Sequence, residues 1–227
     1  MNSEIKLLIT LICGMHFFAG CNNGSNTTTV KDTAFAKMKN TKYDTIVNKL
    51  NTDKMKSDDS ILSAMKKMIN KMSSMKISGD VDIDFANRMI EHHQGAIDMS
   101  LQEIKSGTDA GIKALAKKII PNQLDEQSKF GNIAKNTTPI KMDLGKDDEL
   151  SEEMGEMKAT INTMKMSGNI DKDFVNLMIE HHESEIKMAK NEFSHGMNSQ
   201  LKQMAQKIIS DQIKENSEFK NWLSLSK

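Results

Sequence analysis

Cysteine is almost absent from this sequence. Only Cys13 and Cys21 occur, and both lie close to the N-terminus. If the chain is processed at Cys21, as its surroundings suggest, the rest of the chain has no disulfide and no thiolate to offer a metal. A structural zinc site of the usual cysteine type is therefore not expected.

Aromatic residues, proline and glycine are also scarce. Aromatics make up 4% of the 227 residues, and there are two prolines and twelve glycines. This composition favours an all-α protein over a β-sandwich or barrel. Basic and acidic residues number 31 each, so no positive excess is available to bind nucleic acid.

A long membrane-spanning run is missing as well. The apolar segment Leu7–Ala19 follows Lys6 and is too short to cross a bilayer. It ends in Phe18–Ala19–Gly20–Cys21, which resembles a bacterial lipobox, where the cysteine carries lipid after cleavage. The alternative is an ordinary secretory signal with a chance cysteine.

The lipobox interpretation predicts the organisation of the N-terminus. We expect a signal peptide over residues 1–20 and a polar tether over residues 21–57 that contains a short helix. Lipid on Cys21 would anchor the protein to a membrane. The expected location is the cell envelope, on the extracytoplasmic side.

What the sequence does contain is a long internal repeat. The segment from Phe85 to His93 recurs 89 residues later, from Phe174 to His182, with Met-Ile-Glu-His-His in both. Four of the six histidines belong to these two segments. Such a period marks duplication of a supersecondary unit. We predict helical repeats over residues 58–134 and 148–227, joined by a linker over residues 135–147.

Each repeat is predicted to contain three helices, which gives an all-α fold of two tandem three- or four-helix bundles. The first helix carries an apolar stripe at helical spacing: Ile61, Met65, Met68, Met72 and Met75. Glycines are expected to end the helices, namely Gly79, Gly107, Gly168 and Gly196. Expected N-terminal caps are Asp82 or Asp84 and Asp171 or Asp173 for the second helices, and Thr108 or Asp109 and Asn198 or Ser199 for the third.

The second helix of each repeat presents two neighbouring stripes that divide the histidine pair. One stripe places His92 and His181 among methionines: Met89 and Met99 in the first repeat, Met178 and Met188 in the second. The other stripe places His93 and His182 among aliphatic residues. Imidazole with thioether suits copper, above all Cu(I). His92 and His181 are therefore the favoured ligands, with His93 and His182 as ligands or hydrogen-bonding partners.

The third helix supports this prediction. Its apolar stripe is interrupted by Gln123 and Glu126, and by Gln212 and Glu215 in the second repeat. A carboxylate on a core face needs a partner, which a facing histidine or a metal would supply. We assign these four residues as further ligands or as hydrogen-bond partners of the ligands.

Two alternatives stay open at this point. The methionines could be ordinary core, and the histidine pairs could be structural groups that duplication copied. A di-iron carboxylate site is disfavoured, because Glu-x-x-His occurs only at Glu192–His195, beside Gly196.

The quoted motifs, together with Ile119–Ile120 and Ile208–Ile209, resemble the bacterial exported family catalogued as domain of unknown function 305. The resemblance implies a ferritin-like helical fold that is often duplicated. It also implies copper handling in the cell envelope through histidine and methionine, here at Met89, His92, His93, Met99, Met178, His181, His182 and Met188. Glu185 departs from the family, which often has alanine there, as Ala96 has in the first repeat.

These observations predict a membrane-anchored protein that binds copper, or another transition metal, for sequestration or transfer rather than catalysis. The alternatives are a metal-free envelope scaffold that binds partners, and a metal-dependent oxidoreductase. Homo-oligomerisation and an envelope metal-handling partner are left open. Glu185 is expected to ligate metal, to orient the His181 ring, or to spoil an apolar contact.

Overall fold

The computed structural model describes residues 60–140 and 149–226. The predicted signal peptide, Cys21, the predicted tether with its expected short helix, and part of the predicted linker lie outside these ranges. Six α-helices occur within the described ranges, without a strand: α1 (Ile61–Ser73), α2 (Val81–Ser106), α3 (Ala110–Asn136), α4 (Glu149–Thr163), α5 (Ile170–His195) and α6 (Ser199–Leu225). The predicted all-α class is confirmed. None of these helices is both long and apolar enough to cross a bilayer.

Methionine fills much of the core of the first helices. In α1 the buried stripe consists of Ile61, Met65, Met68 and Met72. In α4 the corresponding buried residues are Met154, Met157 and Ile161. The flexible thioether side chain fits irregular gaps between helices, and these methionines pack into one hydrophobic core.

Some of the helix ends lie where the sequence predicted them. Asp109 and Asn198 cap α3 and α6, and Gly107 and Gly196 follow α2 and α5, as predicted. Gly79 and its counterpart Gly168 do not end helices, because α1 stops at Ser73 and α4 at Thr163. Both glycines lie instead in the following loops with φ near 80° (83° and 80°), where the missing side chain avoids strain.

The predicted caps of the second helices are wrong. Asp80 caps α2 and Asn169 caps α5, each accepting a hydrogen bond from a backbone N–H three residues ahead. Asp84 is then free to accept hydrogen bonds from the backbone N–H groups of Ser78 and Gly79. Asp173 does the same for Ser167 and Gly168. The other two candidates, Asp82 and Asp171, accept hydrogen bonds from the opposite repeat.

These two aspartates tie each repeat to the other. Asp171 of α5 accepts hydrogen bonds from the Thr108 and Asp109 backbone N–H groups at the start of α3, at 2.9 Å each. Asp82 of α2 does the same for Met197 and Asn198 at the start of α6. The two repeats therefore satisfy N–H groups at each other's helix starts.

The two repeats share one core, which places the histidines at its centre. Helices α2 and α5 pack against each other, flanked by α3 and α6, while α1 packs on α4 and α5. In each repeat an edge-to-face phenylalanine pair joins the second and third helices: Phe85 with Phe130 at 5.6 Å, and Phe174 with Phe219 at 6.0 Å. The Met-Ile-Glu-His-His segments thus meet where α2 and α5 cross.

Candidate metal centre

His92 and His181 lie against each other at the contact between α2 and α5. Their ring centroids are 3.8 Å apart, and both side chains are completely buried. His181 Nε2 is 2.9 Å from the backbone carbonyl oxygen of His92. A carbonyl oxygen only accepts, so Nε2 carries the proton and Nδ1 of the neutral ring keeps a free lone pair. Neither ring nitrogen of His92 has a hydrogen-bond partner among the described residues.

Burial keeps these rings in the neutral form. It lowers the pKa of His92 and of His181 well below the usual range, and the neighbouring histidines lower both further. The hydrogen bond from His181 to the His92 carbonyl opposes this shift in part. Neutral imidazole is the metal-binding form, so the rings need not lose a proton to bind an ion at neutral pH.

Glu185 sits between histidines of the two repeats. One carboxylate oxygen lies 3.7 Å from His93 Nδ1, and the other lies 3.9 Å from His181 Nδ1. The side chain is completely buried, and neither oxygen accepts a hydrogen bond of normal geometry within the structure as described, although the Gln212 amide interacts with the carboxyl group favourably. Of the three roles expected for Glu185, which were ligation, orientation of the His181 ring and the spoiling of an apolar contact, this position between two histidines fits the first two.

The protonation of Glu185 depends on nearby charge. Burial raises its pKa well above the usual range, and the carboxylates of Glu126 and Glu215 raise it further. The Gln212 amide opposes this shift. Without a cation, Glu185 is therefore held as the neutral acid, and a cation would favour the ionised form.

Glu126 pairs with His93 rather than with the methionine-flanked His92, which was the favoured ligand. Its Oε2 is 3.0 Å from His93 Nε2, and its Oε1 is 3.6 Å from the Lys207 ammonium nitrogen. The reason is geometric, because the stripe with His93 faces α3 of its own repeat, where the ring also packs on Phe130. The stripe with His92 faces α5 of the other repeat.

In the second repeat, His182 has different partners from its counterpart His93. His182 donates from Nδ1 to Asn216 Oδ1 at 3.0 Å, and its Nε2 lies 3.5 Å from Glu215. Burial lowers the pKa of His182 to about 4 and raises the pKa of Glu215 to about 7. Asn216 was not predicted as a site residue, although its position directly after Glu215 could have pointed to it. Its counterpart Gln127 donates to the Ile90 carbonyl instead.

Two groups of three donors result, and they share Glu185. One consists of His92, His181 and Glu185, and the other of His93, Glu126 and Glu185. Within each group, one ligand atom of each residue lies within 4.8 Å of the others. The sequence led us to expect one site per repeat, whereas the structure gathers these donors into one cluster across the contact between repeats.

The other predicted site residues belong to neither of these two donor groups. The four methionines are buried in the hydrophobic core: Met89, Met99, Met178 and Met188. Gln123 and Gln212 are buried too, and their side-chain oxygens lack hydrogen-bond partners among the residues described. His182, Glu215 and Asn216 form a flank of the cluster.

The donor set fits a transition metal. Unpartnered imidazole nitrogens and carboxylate oxygens are costly when buried unless a cation or proton compensates them. Imidazole suits copper, zinc, iron and nickel, and a carboxylate oxygen makes the set harder than the imidazole–thioether pair expected from sequence. The buried groups therefore match a borderline divalent ion such as Cu(II).

Comparisons with known proteins agree with this architecture. A solved structure described as CopM in the Cu(II)-bound form is 25% identical, covers 64% of this chain and 97% of its own, and has a TM-score of 0.51. CopM in an Ag-bound form is 26% identical, covers 63% and 95%, and has a TM-score of 0.48. A DUF305 fragment from Deinococcus radiodurans is 19% identical over 63% and 95%, with a TM-score of 0.49. No curated protein matches the chain.

A family model settles the relationship. The model described as Domain of unknown function (DUF305) matches residues 25–134 and again residues 132–223. The two matches correspond to the two repeats seen in the sequence and the structure, and together they span most of the chain. This protein is therefore a member of the DUF305 family with two tandem copies of its domain.

Proposed function

We propose that this protein binds copper between its two repeats, for sequestration or transfer. The observation that carries the proposal is the buried group of His92, His181 and Glu185, whose donor atoms lie within 4.8 Å of one another. These atoms have few other partners, and a bound cation would compensate them. The 25% identical CopM structure is described as Cu(II)-bound, which supports copper as the ion.

The donor atoms indicate which oxidation state of copper the cluster would bind. Imidazole and carboxylate oxygen favour Cu(II), while the buried methionines of the same helices would favour Cu(I). Because the contacts in the cluster are histidine and glutamate, we assign Cu(II) to it.

Titration of the purified chain with Cu(II), and with Zn(II) and Cu(I) for comparison, tests this proposal. We expect the tightest Cu(II)-binding step to weaken by at least about 100-fold in His92→Ala/His181→Ala, since removal of only an outer partner costs 10- to 100-fold. His195→Ala is the matched control, because that histidine is exposed at the end of α5. Unchanged affinity in the double variant, with unchanged helicity, would mean that the ion binds elsewhere and would contradict this site. Absence of tight Cu(II) binding by the unmodified chain would support the metal-free scaffold.

We also propose that lipid on Cys21 anchors the protein in the cell envelope, on the extracytoplasmic side. The support is the sequence Phe18–Ala19–Gly20–Cys21 and the polar stretch that follows it. Mass spectrometry of the membrane fraction should find acyl groups on Cys21. Cys21→Ser should remove them, and Cys13→Ser should leave them in place. An unmodified Cys21 in the membrane-extracted chain would contradict the anchor.

A further inference from the structure

Glu185 belongs to both donor groups of the cluster. Its two oxygens face different histidines, with Oε1 toward His93 Nδ1 at 3.7 Å and Oε2 toward His181 Nδ1 at 3.9 Å. A carboxylate can bind one ion through each oxygen. Proteins that hold two metals in this way keep them about 3.5–4 Å apart.

We propose that Glu185 bridges two Cu(II) ions. One ion is held by His92 and His181 across the contact between repeats, and the other by His93 and Glu126 within the first repeat. This inference rests on the proposed function and deepens it, because it assigns the number of ions and the residue that joins them. In this second group, one ligand atom of each of His93, Glu126 and Glu185 lies within 4.8 Å of the others.

Charge around Glu185 favours more than one cation. Two further carboxyl groups approach the histidines beside Glu185: Glu126 lies 3.0 Å from His93 Nε2, and Glu215 lies 3.5 Å from His182 Nε2. Three carboxylates can compensate a larger positive charge than a single divalent ion carries. Lys207 is the nearest ammonium group to Glu126, and it lies on the solvent side, where it leaves the buried oxygens of Glu185 uncompensated.

The repeats themselves provide a matched comparison. Ala96 occupies the position in α2 that Glu185 occupies in α5, and both are completely buried. Only the second repeat therefore supplies a bridging carboxylate. The substitution Glu185→Ala makes the two repeats alike at this position, and Ala96 shows that alanine is accommodated at the equivalent place in the core.

Metal analysis combined with electron paramagnetic resonance of the Cu(II)-loaded chain tests the bridge. We expect two Cu(II) ions per chain, with a spin count below the copper content because the bridged ions couple. In Glu185→Ala, at least one ion should be lost, and any remaining copper should contribute its full spin. Glu183→Ala, an exposed glutamate on the same helix, should behave like the unmodified chain.

The outcomes separate the two proposals. One fully visible Cu(II) ion per chain that depends on His92 and His181 would overturn the bridge and keep the proposed function. No tight Cu(II) binding would overturn both. Should Glu185→Ala lose its helical circular dichroism, the similarly sized Glu185→Gln serves in its place: two ions with the same spin deficit in that variant would overturn the bridging role.

Discussion

Glu185 is the residue whose chemistry most needs an explanation. It carries a completely buried carboxyl group whose oxygens accept no hydrogen bond of normal geometry among the residues described. A buried polar group without a partner costs about 1–3 kcal/mol of folding free energy. Such a cost persists in a protein when the group serves a purpose other than folding, and metal binding is the purpose proposed for it here.

This cost leads to a prediction about stability in the absence of metal. Glu185→Leu replaces the carboxyl with an apolar group of similar volume, so it should raise the free energy of unfolding by about 1–3 kcal/mol in chelator-treated protein. The same variant should lose the stabilisation by added Cu(II). Urea unfolding with and without chelator measures both effects.

Glu183→Leu is the control for this experiment, because that side chain is exposed and its change should have little effect. A loss of more than about 1 kcal/mol in chelator-treated Glu185→Leu would show that the carboxyl group has a structural partner. The account of Glu185 as a metal ligand would then lose its physical basis.

At the scale of helices, the two repeats are joined by reciprocal acid pairs. Glu103 at the end of α2 lies beside Asp171 of α5, and Glu192 at the end of α5 lies beside Asp82 of α2. Burial raises the pKa of Glu103 and of Glu192 to about 8, and the adjacent aspartate raises each further. Each glutamate therefore carries a proton at neutral pH and can donate a hydrogen bond to the aspartate.

These pairs predict how stability depends on pH. The folded chain binds more protons at Glu103 and Glu192 than the unfolded chain, whose glutamates have a pKa near 4.5. Their contribution is therefore fully present below about pH 4.5 and is lost as the pH rises toward about 8. The loss amounts to at most about 1.4 kcal/mol per pH unit for each glutamate.

Glu103→Gln/Glu192→Gln should remove this part of the pH dependence, because glutamine donates a hydrogen bond at every pH. Urea unfolding at pH 6, 7 and 8 would measure it, and the double variant should gain stability relative to the unmodified chain as the pH rises. Glu183→Gln should follow the unmodified chain. If the free energy of unfolding changed with pH equally in the double variant and the unmodified chain, the proton assigned to each glutamate would be contradicted.

The histidines have the opposite effect on stability, because their lowered pKa values favour folding at higher pH. Comparing variants that keep the same histidines cancels this effect.

The N-terminal caps of the helices could be predicted from the sequence only in part. Asp109 and Asn198 were each one of two adjacent candidates, because a glycine that ends the preceding helix leaves only a short stretch in which the next helix can begin. The start of α2 could not be identified, since Asp80, Asp82 and Asp84 are all able to cap a helix. The choice among them depends on Asp82 being used by the opposite repeat, which is a tertiary contact that local sequence does not contain.

The same limit applies to the candidate site. Helical periodicity separated His92 from His93 correctly, because each stripe is a property of a single helix. It did not indicate that α2 and α5 face each other, so the donors were divided between two sites. Glu185 does not belong to a Glu-x-x-His motif, because it follows its histidine by four residues rather than preceding it by three. It was noticed only because the first repeat has Ala96 at the equivalent position.

At the scale of the whole molecule, the candidate metal centre lies where the duplicated halves meet. Ligands from both repeats would make copper a link between α2 and α5, which already share one core. An ion that binds only the folded chain stabilises it by about 2.7 kcal/mol at 100 times its dissociation constant. Duplication thus creates a site that neither repeat contains alone, and the replacement of alanine by Glu185 makes the halves unequal.

The most direct test of this account is the position of copper in crystals of the copper-loaded chain. Diffraction data recorded on both sides of the copper absorption edge would locate the metal by its anomalous signal. The account predicts a peak between the rings of His92 and His181, within about 2 Å of a nitrogen of each. Copper bound only at exposed groups such as His195, with no peak between the two repeats, would contradict it.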